Sequence, residues 1–155
     1  MRCNEILTLE RQDVHFSMGK RGALGIRSER SKNKKPRFVP MTPKARNIVD
    51  RLLISTESDP TARLLRLSSG QNVRLHALRR RWIEAREKAG LLGLRIHDLR
   101  HTFASWLVQR GVSLSVVQGL LGHADISMTT RYSHLEFSHY EEGLGVLWAG
   151  EGRER

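Results

Sequence analysis

The spacing of apolar residues along the chain divides it into short elements. Ile6, Leu7 and Leu9 make residues 2–10 read as the tail of a helix. Residues 14–40 read as β. The runs 23–26 and 37–40 flank a Ser-Lys-Asn-Lys-Lys-Pro turn at 31–36, which predicts a small antiparallel hairpin with a third strand near 14–16. Thr42 is placed to cap a helix that opens with Pro43, and Ala45, Ile48, Val49, Leu52 and Leu53 follow at helical spacing. After a polar loop at 55–61, residues 73–89 predict a second helix. Its inward stripe is Leu75, Leu78, Trp82, Ala85 and Ala89, and Gly90 follows its end. A third helix at 97–110 stops at Gly111, with Leu99, Phe103, Trp106 and Leu107 as the expected inward face. Ser113 and Gly122 bracket a short helix at 114–121, and two last helical pieces are expected at 127–132 and 137–148. The expected fold class is mostly α with a small antiparallel β-sheet near the N-terminus, an α+β arrangement.

Composition narrows the class. A length of 155 residues suits one domain, and 39% hydrophobic residues suffice for a packed core. A single cysteine, Cys3, cannot make an internal disulfide framework or a cysteine-rich zinc site. No apolar run reaches the length of a membrane-spanning helix, and the first residues lack a secretory pattern. The expected location is a reducing cytoplasm or nucleoid. Charge says more. Lys and Arg number 27 against 16 Asp and Glu, a net charge of +11. Residues 136–155 hold five acids and two bases, so the excess lies upstream, with a dense run from Lys20 to Arg37 and the triplet Arg79, Arg80 and Arg81. Only six of the bases are lysines, and arginine is the better bidentate phosphate ligand. The expected partner is nucleic acid.

Candidate chemistry gathers late in the chain. His97 and Arg100 are three apart, a same-face spacing on a helix, and Ala104 one turn on is small enough to leave room for a ligand. By itself this pair reads first as a buried arginine paired with Asp98 or another acid. Leu121-Gly122-His123 then sets a histidine just past a helix end, and Tyr132 follows nine residues later. A phenol can attack phosphorus once its proton is accepted, and guanidiniums can hold the non-bridging oxygens. His101 sits four residues after His97, a zinc-ligand spacing. Asp98 stands where a zinc motif has Glu, however, and no third ligand follows, so His101 reads as structural and no metal is expected. His134 and His139 read as surface or supporting groups.

The segments HDLRHTFASWLVQRG and VVQGLLGHADISMTTRYSHL resemble the catalytic domain of the tyrosine recombinase (phage integrase) family. Residues 1–9 resemble that family's first arginine motif, and residues 31–40 its lysine-bearing β-hairpin. The resemblance implies the tyrosine recombinase catalytic-domain fold and metal-independent, cofactor-free cleavage and rejoining of double-stranded DNA. Under it, Arg2 and Arg100 bind the scissile phosphate and Tyr132 is the nucleophile of a 3′-phosphotyrosyl link. Lys32 is the general acid for the leaving 5′ oxygen, with Lys34 and Lys35 as rivals on the same turn. His97 is an acid–base and orienting group, and His123 hydrogen-bonds a phosphate oxygen. Lys34, Lys35, Arg37, Arg79, Arg80 and Arg81 are the expected contacts to the DNA backbone, which position a duplex without reading its sequence.

The resemblance also sets the expected organisation. Residues 1–140 would be a catalytic domain lacking its first helices and the family's core-binding domain. Residues 141–155 would be a tail that docks on a neighbour within a synaptic homotetramer, and no membrane is involved. A chain of this kind is either a catalytic domain or a non-catalytic remnant that binds DNA or a partner integrase. A type IB topoisomerase or telomere resolvase shares the chemistry, but the match of residues 121–132 points to the integrases.

Overall fold

The computed structural model describes residues 1–31, 34–56 and 58–135, and the chain divides into two compact units, residues 1–98 and 99–155. The fold is mostly helical with a small three-stranded antiparallel sheet.

The first unit opens with α1 (Cys3–Leu7), a single turn that is helical only because its ends are tied. The sheet follows in the order β1 (Val14–His15), β2 (Ala23–Ile26) and β3 (Arg37–Pro40), the expected hairpin with the expected third strand. Leu24 pairs with Val14 on one side and Val39 on the other. As the middle strand, β2 is buried along its whole length, which is why it reads as a continuous apolar run. A Cβ at Gly25 would meet the His15 ring at 2.8 Å, and that ring packs edge-on to Phe38. Helix α2 (Pro43–Ile54) starts as expected, with Thr42 Oγ1 accepting from the Ala45 N–H at 3.2 Å. Val49 enters a core of Leu9, Leu24, Ile26, Met41 and Leu64, and Ala45, Leu52 and Leu53 pack against it. Ile48 departs from the expected stripe and is exposed.

Helix α3 (Leu75–Lys88) has the expected bounds but buries no residue. Leu75, Leu78 and Trp82 are half-buried, while Ala85 and Ala89 face solvent. The helix packs on α1, and the Trp82 indole N–H donates to the Leu94 carbonyl at 3.0 Å.

The second unit contains α4 (Asp98–Val108), α5 (Leu114–Leu121), α6 (Ser127–Thr130) and a closing 3-10 turn at Ser133–Leu135. Its core is Ala104, Val108, Val117, Leu121 and the ring of Tyr132. Helix α4 is rotated from expectation. Leu99, Phe103 and Trp106 are exposed, while Arg100, Ala104 and Val108 point inward. Ala104 is therefore a core contact and leaves no room for a ligand. The helical piece expected at 137–148 lies outside the described residues.

Candidate active site

In the second unit, one turn of α4 and the chain after α5 bring three of the expected residues together. Helix α5 ends in a left-handed residue, Gly122 (φ 65°), whose N–H donates to Gly119 while that of His123 donates to Gln118. These two bonds make a Schellman closure. It turns the chain back and aims His123, whose Nδ1 lies 2.9 Å from Oγ1 of the fully buried Thr129. Arg100 is 9% exposed and donates from Nη2 to the Leu121 carbonyl at 2.6 Å, so the same guanidinium braces the end of α5. Asp98 receives bonds from the backbone and guanidinium of Arg95, both at 2.8 Å.

Tyr132 follows α6, its N–H donating to the Thr129 carbonyl at 3.0 Å. Thr129 thus ties His123 and Tyr132 to one backbone segment. The tyrosine is 6% exposed, with its ring among the core residues. Its hydroxyl lies 2.5 Å from Nδ1 of His101. Burial pushes the phenol above its usual pKa of 10.0, while the positive charges of Arg131 and Arg100 pull the other way. His101, read from the sequence as structural, is the imidazole in hydrogen-bond contact with the phenol. Its place beside Arg100 was the available signal, masked by the absence of a companion zinc ligand.

In the first unit, a cavity of about 480 Å³ brings together Arg2, Arg79 and His97, with Ser31, Glu5 and Glu29 on its wall. His97 is exposed and precedes α4 rather than opening it. Arg2 is held, not frayed. Its N–H donates to Glu5 Oε2 at 2.6 Å and its Nη1 to Oε1 at 3.3 Å, so the Glu5 carboxylate closes the start of α1. Glu5 is 2% exposed and also accepts from Arg37 Nη2 at 2.7 Å. Burial alone would raise the Glu5 pKa, but the bonds and charges of Arg37 and Arg2 outweigh it and hold the carboxyl below its usual 4.5.

Arg37 is turned toward Glu5, its side chain 13% exposed and paired with that carboxylate. Part of the basic run has the same fate. Arg27 and Arg30 both pair with Glu10 and with Asp13, the Asp13 contacts at 3.0 and 2.8 Å, and Arg30 also donates to the Thr8 carbonyl. This four-charge cluster ties the chain entering the 31–36 turn to the segment after α1. Lys32 lies outside the described residues. Lys34, in a left-handed conformation (φ 51°), and Lys35 are exposed. Arg80 and Arg81 are also exposed, 3.9 and 3.3 Å from Glu84.

Sequence reading missed a second basic cleft in this unit. A cavity of about 730 Å³ is lined by Arg63, Arg66, Arg74 and His76 around Gly70, with no acidic residue on its wall. These bases are scattered over fourteen positions, so only the loop at 66–72 gathers them. Among the described residues no cluster of three or more potential metal ligands occurs, and no helix is long and apolar enough to cross a membrane.

The family model described as the phage integrase family matches residues 1–139. The chain belongs to the phage integrase family. It resembles the family's tyrosine recombinases along most of its length. The tyrosine recombinase XerD of Lacticaseibacillus casei is 36% identical over 149 residues, covering 90% of this chain and 47% of that protein. The integrase of Salmonella phage P22 is 51% identical over a shorter stretch of 61 residues, 39% of this chain and 16% of that protein. Among solved structures, XerA recombinase superposes with a TM-score of 0.70 at 26% identity, covering 99% of this chain and 54% of the other. The catalytic domain of bacteriophage HP1 integrase gives 0.63 at 26%, covering 94% and 73%. A post-cleavage complex of XerH recombinase with a palindromic difH substrate gives 0.69 at 26%, covering 95% and 42%. The chain thus has the fold of tyrosine recombinase catalytic domains, and it spans about half the length of the XerD and XerC relatives it matches.

Proposed function

We propose that residues 1–140 form the catalytic domain of a site-specific DNA recombinase that cuts and rejoins duplex DNA through Tyr132. The phenol oxygen attacks the scissile phosphorus, the P–O5′ bond breaks, and a 3′-phosphotyrosyl link forms. Arg2 and Arg100 offset charge on the non-bridging oxygens, and His123 hydrogen-bonds one of them. Lys32 protonates the departing 5′ oxygen, and His97 acts as acid–base and orienting group. A partner strand's 5′-hydroxyl reverses the step. The phosphoester energy is kept in the tyrosyl link, so the cycle consumes no nucleotide. Lys34, Lys35, Arg79, Arg80 and Arg81 hold the backbone of the duplex, and residues 141–155 dock on a neighbouring copy in a synaptic tetramer.

The observation that carries this reading is the packing of the Tyr132 ring in one core with Leu121, whose carbonyl accepts from Arg100 and whose helix end aims His123. One observation favours a second reading, a non-catalytic remnant that binds DNA or a partner integrase. The Tyr132 ring is 6% exposed and packs among the core residues instead of lying open to solvent. A pool of nicked duplexes, randomised around the cleavage position, decides between them. The catalytic reading expects a covalent protein–DNA adduct that Tyr132→Phe abolishes. The remnant reading expects retention of duplex with no adduct from either protein.

A further inference from the structure

We propose that His101 is a catalytic residue of this reaction, its Nδ1 accepting the proton of Tyr132 as the phenol attacks phosphorus. The inference rests on Tyr132 being the nucleophile and adds a residue that the motif reading set aside.

The geometry is local and direct. Nδ1 of His101 and Oη of Tyr132 are 2.5 Å apart, at the short end of hydrogen bonds. The two rings are tilted by 46° with centroids 6.1 Å apart, so contact is made through the polar atoms and not by stacking. Arg100 and His101 are consecutive on α4, about 100° apart around the helix. One points to the end of α5 and the other to the tyrosine. A single helical turn thus carries both a guanidinium and a base. His123 directs its Nδ1 to Thr129.

The chemistry requires such an acceptor. A buried phenol holds its proton more tightly than one in water, so little phenolate forms on its own. A neutral imidazole in contact with the oxygen removes that obstacle. In the step, the O–H proton passes to Nδ1, the Oη–P bond forms, and the P–O5′ bond breaks. The 5′ oxygen takes its proton from the general acid. The positive charge then carried by His101 returns the proton to the phenol when the reverse attack releases the tyrosine, so the cycle balances.

The test is single-turnover cleavage of the nicked duplex pool by the full chain, its His101→Ala and His101→Gln variants, and Tyr132→Phe. Duplex affinity and thermal unfolding are followed in parallel. Glutamine can hold the phenol through a hydrogen bond but cannot take its proton. Both His101 variants are expected to slow adduct formation by about 10²–10⁴-fold with affinity retained. Added imidazole is expected to restore part of the His101→Ala rate and none of the Tyr132→Phe rate. A His101→Gln protein that cleaves at the wild-type rate overturns the inference and leaves the recombinase reading intact. So does a His101→Ala defect that glutamine repairs and imidazole does not, since that pattern is structural. A wild-type chain that forms no adduct overturns both.

Discussion

Arg37 of β3 and Glu5 of α1 form an ion pair 2.7 Å long, with the carboxylate 2% exposed and also bonded to the backbone and guanidinium of Arg2. One acid thus holds the chain leaving the lysine-bearing turn and the arginine that opens the chain. Removing one member of a buried pair strands the other's charge, which typically costs about 3 kcal/mol or more. Glu5→Ala is therefore expected to lower the stability of the first unit by about that amount. Glu5→Gln, whose amide oxygen still accepts, should cost less. Urea unfolding followed by circular dichroism checks the order of the two variants.

The same carboxylate sets an acid limit. The folded-state pKa values of Glu5 and Glu10 lie below 4.5, Glu10 because bonds from Gln12, Arg27 and Arg30 together outweigh its desolvation. Each group binds a proton less readily when folded, so its stabilisation is complete above pH 4.5 and disappears as pH falls through the folded value. The unfolding midpoint should be flat with respect to these groups above that pH and drop below it. Glu5→Gln should flatten the drop.

At the alkaline end the sign reverses. The Tyr132 phenol resists ionisation when folded, so the native state holds its proton above pH 10.0 while the unfolded chain releases it. Stability should fall as pH rises past that value, and Tyr132→Phe should remove this contribution. Unfolding midpoints of the two proteins between neutral and strongly alkaline pH provide the check.

Arg100 is predicted to separate binding from chemistry. Arg100→Lys keeps a positive charge but loses the planar fork that reaches the Leu121 carbonyl. Adduct formation is expected to fall by about 10²–10³-fold, the usual loss when one preorganised donor to a developing charge is removed. Duplex affinity, spread over many cations, should change little. Single-turnover rates and filter-binding titrations measure the two effects separately.

The basic surface makes a further prediction. Arg80 and Arg81 are about three-quarters exposed and only loosely paired with Glu84. If each meets a phosphate, replacement by Gln should lower the slope of log affinity against log salt by about one and weaken all duplexes alike. Arg37→Gln should act through stability, because its guanidinium is turned to Glu5. Affinity measured at several salt concentrations, beside unfolding curves, distinguishes the two.

The sheet and the ends of α2, α3 and α5 were legible because local chemistry decides them. Thr42 with Pro43 starts a helix, and Gly90 and Gly122 stop one, whatever surrounds them. The inward face of α4 was not legible. Apolar residues occur all round it, so Leu99, Phe103 and Trp106 made as good a stripe as Ala104, Leu107 and Val108. What decides is a buried arginine, Arg100, which a count of apolar positions treats as solvent-facing. The pairing of Arg27, Arg30 and Arg37 was hidden for a related reason, since their acids, Glu10, Asp13 and Glu5, lie far enough away in sequence that only the fold pairs them. In the candidate site, Tyr132 and His123 were readable from their spacing. The role of His101 depends on a contact 31 residues away and appears only once α4 and the tyrosine turn have packed.

The central claim is that the hydroxyl at position 132 is the atom that bonds to phosphorus. Its most direct measurement is peptide mapping by mass spectrometry after the full chain has been trapped on the nicked duplex pool and digested with protease and nuclease. A residual 3′-nucleotide is expected on the peptide containing Tyr132 and on no other. A nucleotide on a different residue, or none from a folded chain that retains the duplex, would contradict it.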